Sequence, residues 1–184
     1  MLADPDALYD ALQARDSRFD GLAFVCVKTT GIFCRLTCPA RTAKRENCSF
    51  RASVAECLAA GFRPCKRCKP LEADDQPAWA AELLAEVERR PAARITEGDL
   101  RGRGIDPATA RRYFRRQYGM TFQAFARARR LAGALTQIRE GGAVDTAVFE
   151  SGYESHSGFR DAFARTFGKT PGKYRQGECV LLAW

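Results

Sequence analysis

The chain has 184 residues, which is enough for one large domain or two small ones. Hydrophobic residues make up 46% and charged residues 28%, a balance that excludes a disordered chain. The formal net charge is +8, which favours a polyanionic partner, although an evenly basic surface would give the same total. No apolar run approaches the roughly 20 residues of a membrane helix, and the acidic N-terminus lacks the apolar segment of a secretory signal. We therefore expect a cytoplasmic protein with no membrane partner, whose eight cysteines serve metal or nucleophilic chemistry.

Composition divides the chain into two parts. Seven of the eight cysteines lie between Cys26 and Cys68, in a stretch rich in lysine and arginine. The polar, acidic stretch 71–78 contains a proline and is typical of a linker, and beyond it the sequence becomes helical and arginine-rich. We predict an α+β protein: a small zinc-stabilised α/β domain over 1–75, then an all-α domain over 76–178. Residues 179–184 form an apolar tail, typical of the first strand of something further.

The second part contains an internal repeat with a period of 49 residues, in which residues 113–125 align with residues 162–174. The matched positions are Phe114 with Phe163, Arg116 with Arg165, Tyr118 with Phe167, Gly119 with Gly168, Thr121 with Thr170 and Phe125 with Tyr174. A repeat of this length indicates a duplicated supersecondary unit. Each copy is predicted to end a helix at its glycine and to begin the next helix at its threonine.

Each copy also has a shorter helix before it, and the pair predicts a helix-turn-helix. In the first copy the short helix covers 96–101, and Asp106 caps a second helix that begins at Pro107. In the second copy Ser155 caps the corresponding helix, and a long helix over 122–138 connects the two units. One such motif can be two packed helices of an all-α core, but two copies in register favour DNA binding. The predicted DNA-binding residues of the second helices are Thr109, Arg112, Arg116, His156, Ser157 and Arg160.

The end of the second copy carries a recognisable set of residues. They are Gly152-Tyr153, Ser157, Phe159, Phe163, Phe167-Gly168, Thr170-Pro171 and Tyr174-Arg175. This set resembles the C-terminal signature of the AraC/XylS transcription regulators, over roughly residues 80–176. The resemblance implies two helix-turn-helix motifs bridged by one long helix.

The cysteine spacing predicts a metal site. Cys34-x3-Cys38 is followed later by Cys65-x2-Cys68, and two such pairs match a tetrahedral zinc site of four thiolates. Spacing alone favours a structural zinc over a reactive one, and a redox Cys-x2-Cys would leave the first pair without a role. The other four cysteines are predicted to be bystanders: Cys26 in a strand, Cys57 on a helix facing the core, and Cys48 and Cys179 without a partner at ligand spacing.

Two segments around these cysteines carry a second resemblance. Thr29-Thr-Gly-Ile-Phe-Cys34-Arg and Ala59-Ala-Gly-Phe-Arg-Pro-Cys-Lys-Arg-Cys68 resemble the N-terminal domain of the Ada family, which answers DNA methylation damage. The resemblance covers about residues 8–70. It implies that Cys34, Cys38, Cys65 and Cys68 bind one Zn2+ and that Cys34 accepts a methyl group from a DNA methylphosphotriester. It also implies DNA contacts for Thr30, Arg41, Arg63 and Arg67.

Two departures from the family pattern are visible. Pro39 stands where relatives can carry a basic residue, and no Pro-Cys-His motif of a guanine-O6 methyltransferase domain is present. The expected chemistry needs only a soft, deprotonated nucleophile, which a metal-bound thiolate supplies. Hydrogen bonds from backbone N–H groups within the Cys-x2-Cys knuckle are expected to lower the nucleophilicity of Cys65 and Cys68. Spacing does not choose between Cys34 and Cys38; the resemblance implies Cys34.

The resulting hypothesis is a methyltransferase that acts once per molecule and becomes a transcriptional activator of alkylation-resistance genes when methylated. The predicted partners are double-stranded DNA and RNA polymerase, and we expect a monomer. The alternative is an AraC-type regulator whose four-cysteine zinc is purely structural or a sensor.

Overall fold

The computed structural model describes residues 4–73 and 75–175, and it confirms an α+β fold. The N-terminal part contains helices α1 (Pro5–Ala14) and α2 (Val54–Ala59) and strands β1 (Phe24–Val27), β2 (Ile32–Arg35), β3 (Cys48–Arg51) and β4 (Arg63–Pro64). The strands form one sheet in the order β3-β1-β2-β4. β1 pairs antiparallel with β2 and β3, whereas the two-residue β4 pairs parallel with β2.

The remaining described residues are helical. They form α3 (Ala78–Arg89), α4 (Glu97–Gly102), α5 (Pro107–Tyr118), α6 (Phe122–Arg139), α7 (Val144–Glu150), α8 (His156–Phe167) and α9 (Pro171–Arg175). Among the described residues no helix is both long enough and apolar enough to cross a bilayer. The tail 179–184, with Cys179, lies outside the described residues.

The sheet separates two buried clusters because side chains alternate between its faces. Phe24 and Cys26 of β1 and Phe33 of β2 belong to the cluster that continues into α2 and the helical part. Val25 and Cys34, on the opposite face, belong to a cluster closed by α1 and the other cysteines of the site. Adjacent residues of β2 therefore serve the core and the candidate metal site.

The buried cluster crosses the predicted boundary near residue 75. It joins residues of β1, β2 and α2 to residues of α3, α5 and α6. Leu71 lies in this cluster, and its carbonyl oxygen accepts a hydrogen bond of 2.8 Å from the buried hydroxyl of Tyr118. The domain ranges remain a prediction, and the two sides of the boundary share one core.

The helix-turn-helix pattern is confirmed, with helix bounds within two residues of those predicted. Asp106 and Ser155 cap α5 and α8, and both helices end at glycines in the left-handed region, Gly119 and Gly168, with φ of 74° and 73°. The matched Phe114 and Phe163 are both completely buried, each in an aromatic cluster of its own unit.

Helix α3 is tied to the first helix-turn-helix by a buried carboxylate. Glu86 is 8% exposed and forms ion pairs with Arg90, at 2.9 Å, and with Arg103 in the turn before α5. Hydrogen bonding from Arg103 lowers the pKa of Glu86 below its usual range. A second pair joins Arg129 of α6 to Glu88 at 2.7 Å. These pairs fix α3 against both the turn and the connecting helix.

The shared core makes a prediction that separates the two units. Phe114→Ala removes a ring from the cluster that includes Phe24 and Phe33, and such truncations cost about 3–5 kcal/mol. We expect the variant to speed amide hydrogen exchange in β1 as well as in α5. Phe163→Ala is the matched control because its cluster contains only residues from α6 onward. Unchanged exchange in β1 of Phe114→Ala would show that the two parts are energetically independent.

Candidate metal centre and nucleic-acid interface

Four cysteine sulfurs converge at the edge of the sheet. Cys34 lies on β2, Cys38 follows in the next turn, Cys65 comes directly after β4, and Cys68 ends the knuckle. Their Sγ atoms all lie within 4.8 Å of one another. The parallel pairing of Phe33 with Pro64 produces this approach, and the backbone N–H of Cys65 donates to the Phe33 carbonyl at 3.0 Å.

The four sulfurs differ in their backbone contacts. The N–H of Arg67 donates to Cys65 Sγ at 3.4 Å. The backbone N–H groups of Ala40 and Arg35 act to lower the pKa values of Cys38 and Cys68, respectively. Cys34 is buried, at 8% exposure.

The close packing of the four thiols shifts their pKa values. The four sulfurs also form a donor set that suits a zinc ion. Hydrogen bonding with Cys68 raises the pKa of Cys34, and burial raises the pKa of Cys38 to about 11. The hydrogen bond from Cys34 lowers the pKa of Cys68 to about 6. Four neighbouring thiols therefore hold some of their protons unless a cation offsets the negative charge. A soft, all-sulfur donor set of four is the kind that zinc prefers.

Three exposed arginines and an exposed threonine lie close to the four cysteines along the chain. Arg41 follows Cys38, Arg67 lies within the knuckle, and Arg63 lies on β4. The N–H of Arg63 donates to the carbonyl of Gly31 at 2.8 Å, which places Arg63 beside the turn that contains Thr30. None of the three arginines forms an ion pair with a described acidic residue. Their charges remain available to an anionic partner.

The predicted DNA-binding residues of α5 lie on one face of the helix but have different neighbours. Thr109, Arg112 and Arg116 are spaced three and four residues apart, so they line one side of the helix. The Thr109 hydroxyl donates to the carboxylate of Asp106 at 2.8 Å and accepts from Arg112 at 3.0 Å. Arg116 lies 5.8 Å from the centre of the Tyr113 ring and lines a cavity of about 620 Å³ shared with residues of the N-terminal part. Thr109 and Arg112, at the start of α5, do not line this cavity.

The predicted residues of α8 are exposed at its N-terminus. Nδ1 of His156 lies 3.5 Å from a carboxylate oxygen of Asp145, and the Ser157 hydroxyl lies 3.5 Å from that of Ser155. Arg160 has no ion-pair partner among residues 4–73 and 75–175. The start of α8 is thus open to a partner, as the start of α5 is.

The sequence did not predict that Cys26 and Cys57 lie next to each other. Cys26 and Cys57 are both completely buried, and their sulfurs lie 3.5 Å apart. Their positions on a strand and a helix were predictable, but their approach depends on how α2 packs on β1. Cys48 is also buried, and its thiol donates to the carbonyl of Lys44 at 3.4 Å.

Comparison with known proteins agrees with this arrangement. Residues 7–71 match the family model described as the metal binding domain of Ada, and residues 102–177 match a helix-turn-helix domain. The bifunctional transcriptional activator/DNA repair enzyme Ada of Escherichia coli K12 is 35% identical over 178 residues. The chain belongs to the Ada family. That alignment includes 94% of this chain and 49% of the relative, so the chain spans about half of its length.

The chain is also similar to two further proteins. The bifunctional transcriptional activator/DNA repair enzyme AdaA of Bacillus subtilis 168 is 28% identical, over 93% of this chain and 82% of the relative. A crystal structure of the methylated N-ADA/DNA complex is 37% identical, over 70% of this chain and 98% of that one, with a TM-score of 0.37. The Ada-type domain and the four-cysteine cluster confirm the cofactor prediction: the chain binds Zn2+.

The first prediction from the site concerns metal content. We expect Cys48→Ser and Cys57→Ser to retain one zinc per chain, because neither sulfur belongs to the cluster. Cys65→Ser should lose zinc and unfold the N-terminal part, since metal binding and folding are coupled in small sites of this kind. Elemental analysis and circular dichroism measure both effects. Loss of zinc in Cys48→Ser would contradict the ligand set.

Proposed function

We propose that the chain repairs DNA methylphosphotriesters by moving the methyl group to Cys34, and that the methylated protein activates transcription of alkylation-resistance genes. The printed names of the Escherichia coli and Bacillus subtilis relatives combine transcriptional activation with DNA repair, which supports both halves. The order of the matched segments, a metal-binding part followed by a helix-turn-helix, supports a division into residues 1–75 for repair and 76–178 for DNA binding.

The observation that carries this proposal is the cluster of four cysteine sulfurs, which all lie within 4.8 Å of one another. A hydrogen bond to a thiolate stabilises its charge and thereby lowers its nucleophilicity. Cys65 accepts such a bond from the backbone N–H of Arg67, so Cys65 is poorly suited to attack. Spacing and this contact leave Cys34 and Cys38 open, and the resemblance to the Ada family favours Cys34.

The proposed reaction is one displacement at carbon. When bound by the four cysteines, zinc keeps the thiol of Cys34 ionised near neutral pH. An electron pair of the Cys34 sulfur attacks the methyl carbon, a C–S bond forms, and the C–O bond to the phosphotriester breaks. The leaving group is the phosphodiester anion, which keeps the electron pair of the broken bond. No general base is needed, and the thioether product is stable, so each chain reacts once.

The residues around Cys34 would hold the damaged strand. Arg41, Arg63 and Arg67 are exposed and lack acidic partners among the described residues, so they can bind the phosphates on either side of the neutral lesion. Thr30 lies in the turn beside Arg63 and offers a hydroxyl to the same backbone. These contacts supply position rather than sequence preference.

Base readout would come from the two recognition helices. Thr109 and Arg112 at the start of α5, and His156, Ser157 and Arg160 at the start of α8, lie where helix-turn-helix proteins meet base edges. Arg116 completes the α5 face, although it lies toward the end nearer the N-terminal part. We propose double-stranded DNA as the partner, with two sites about one helical turn apart. RNA polymerase and a monomeric state remain part of the proposal.

Methylation would also act as an electrostatic switch. A methylated Cys34 is a neutral thioether, so the thiolate cluster loses one negative charge. The cluster must lie near the DNA backbone to reach a methyl group there, and its charge repels the phosphates beside it. At about 6 Å and an effective dielectric constant of about 20, one charge pair is worth roughly 3 kcal/mol. Solvent and salt reduce that figure, but half of it is about tenfold in affinity.

The proposal predicts a single methyl adduct. Incubated with DNA that carries methylphosphotriesters, the zinc-loaded chain should gain the mass of one methylene unit and no more. Peptide mapping should place the adduct on the segment that contains Cys34. Intact mass spectrometry followed by digestion makes the measurement.

Matched variants decide between this proposal and a regulator with an inert zinc. Cys34→Ser should gain no mass, while Cys48→Ser should react as the unsubstituted chain does. A methyl group on Cys38, or more than one lesion repaired per chain, would refute the mechanism. No adduct at all would favour the structural or sensing alternative.

The switch predicts a salt-dependent gain in affinity. The methylated chain should bind a short mixed-sequence duplex more tightly than the unmethylated chain, by up to about tenfold at low salt, because the cluster is less negative. The advantage should shrink as the salt concentration rises. Fluorescence anisotropy at several salt concentrations measures it, and equal affinities at low salt would exclude the switch.

A further inference from the structure

A basic groove lies between the two helix-turn-helix units, apart from the residues predicted to read bases. It has a volume of about 800 Å³. Its walls come from residues 93–96 before α4, from α6, from the turn 152–155 and from the flank of α8. We name it the inter-unit groove. The helix that connects the two units forms its floor, so the groove follows the path from one unit to the other.

Four arginines line the inter-unit groove, against a single acidic residue, Glu154. They are Arg94, Arg127, Arg130 and Arg165. None of the four forms an ion pair with a carboxylate of the described chain. Five arginines elsewhere in the helical part do: Arg90 and Arg103 pair with Glu86, Arg101 and Arg111 with Glu97, and Arg129 with Glu88. The groove therefore concentrates unpaired positive charge.

Arg130 lies in an energetically unfavourable environment within the groove. Its Nε atom is buried and has no hydrogen-bond partner, and its guanidinium lies 5.5 Å from the centre of the Tyr153 ring. Burial lowers the pKa of Arg130, and the neighbouring charges of Arg94 and Arg127 lower it further. A buried donor without a partner and a set of like charges are both unfavourable. An anion in the groove would relieve both.

The groove is held to this width by a close backbone contact. Gly152 has φ of +70°, and a Cβ atom there would lie 2.7 Å from the carbonyl oxygen of Ala92. The glycine thus lets the turn 152–155 approach the segment before α4. Arg94, two residues after Ala92, lines the groove together with Arg165.

We propose that the inter-unit groove binds the sugar–phosphate backbone of a DNA strand as it passes between the two recognition helices. This rests on the proposed function, in which the chain binds double-stranded DNA. A guanidinium is suited to phosphate because its planar fork donates two parallel hydrogen bonds. The volume exceeds what a single phosphate needs, and the charges lie on several walls, so successive phosphates of one strand fit better than one small anion.

The test measures the salt dependence of DNA binding. The logarithm of affinity falls with the logarithm of salt concentration by about 0.9 per phosphate neutralised. Arg127→Gln in the zinc-loaded full chain should reduce this slope by about 0.9 for a mixed-sequence duplex. Arg89→Gln is the matched control, because Arg89 is an exposed helical arginine outside the groove. Arg94→Gln is a second exposed variant that is expected to fold normally and lower the slope as Arg127→Gln does.

Every outcome decides between the possibilities. Slopes reduced in both groove variants and unchanged in Arg89→Gln support the proposal, and both variants should still accept a methyl group at saturating DNA. Unreduced slopes in the groove variants, with normal DNA binding by the unsubstituted chain, overturn this inference alone. Absence of DNA binding by the unsubstituted chain overturns the proposed function with it.

A second arm distinguishes a strand from a free phosphate compound. Tripolyphosphate is added at constant ionic strength, and the unfolding temperature is measured for the unsubstituted chain, Arg127→Gln and Arg89→Gln. Stabilisation that only Arg127→Gln loses, together with unchanged DNA slopes, would assign the groove to a free polyphosphate. That result would overturn the strand assignment.

Discussion

The approach of the Cys-x2-Cys knuckle to β2 is the constraint on which the N-terminal part depends. β4 has two residues, and so short a parallel pairing is weak by itself. The residue after the knuckle, Lys69, is a non-glycine residue with φ of 42°. That conformation is held by the Lys69 N–H, which donates to the Cys65 carbonyl at 3.0 Å, and by the Arg35 guanidinium, which donates to the Glu72 carbonyl. Zinc bound by the four cysteines would supply the stability that this short pairing lacks.

The same strand couples the metal centre to the DNA-binding part. Cys34 and Phe33 are neighbours on β2, and their side chains point to opposite faces of the sheet. Phe33 packs edge-on against Phe24 at 5.9 Å, in the cluster that also holds Phe114 and Tyr118 of α5. Strand β2 and helix α5 therefore share one core instead of being joined by a free linker. Cys34 lies one residue from Phe33, in the cluster on the opposite face of the sheet.

Local signals explain why the helices were predictable. Asp106, Pro107 and Ser155 define helix starts whatever the surrounding fold, and the paired cysteine spacing predicts that the four sulfurs cluster. Long-range packing explains what the sequence did not show. The parallel pairing of β4, the approach of Cys26 to Cys57 and the shared core all depend on surfaces that meet only after folding. The roles of the individual site residues remain predictions.

Matched positions of the internal repeat agree in the core and differ at the surface. Phe114 and Phe163 occupy equivalent positions and are both fully buried, because each unit must close its own core. Arg116 and Arg165 are equivalent too, yet Arg116 lies beside the N-terminal part and Arg165 lines the inter-unit groove. The two copies pack against different neighbours, so a surface position in one copy has no reason to keep the environment of its counterpart. A residue that is buried in one copy therefore predicts a buried residue at the matched position of the other copy. The role of an exposed residue has to be inferred from its own surroundings.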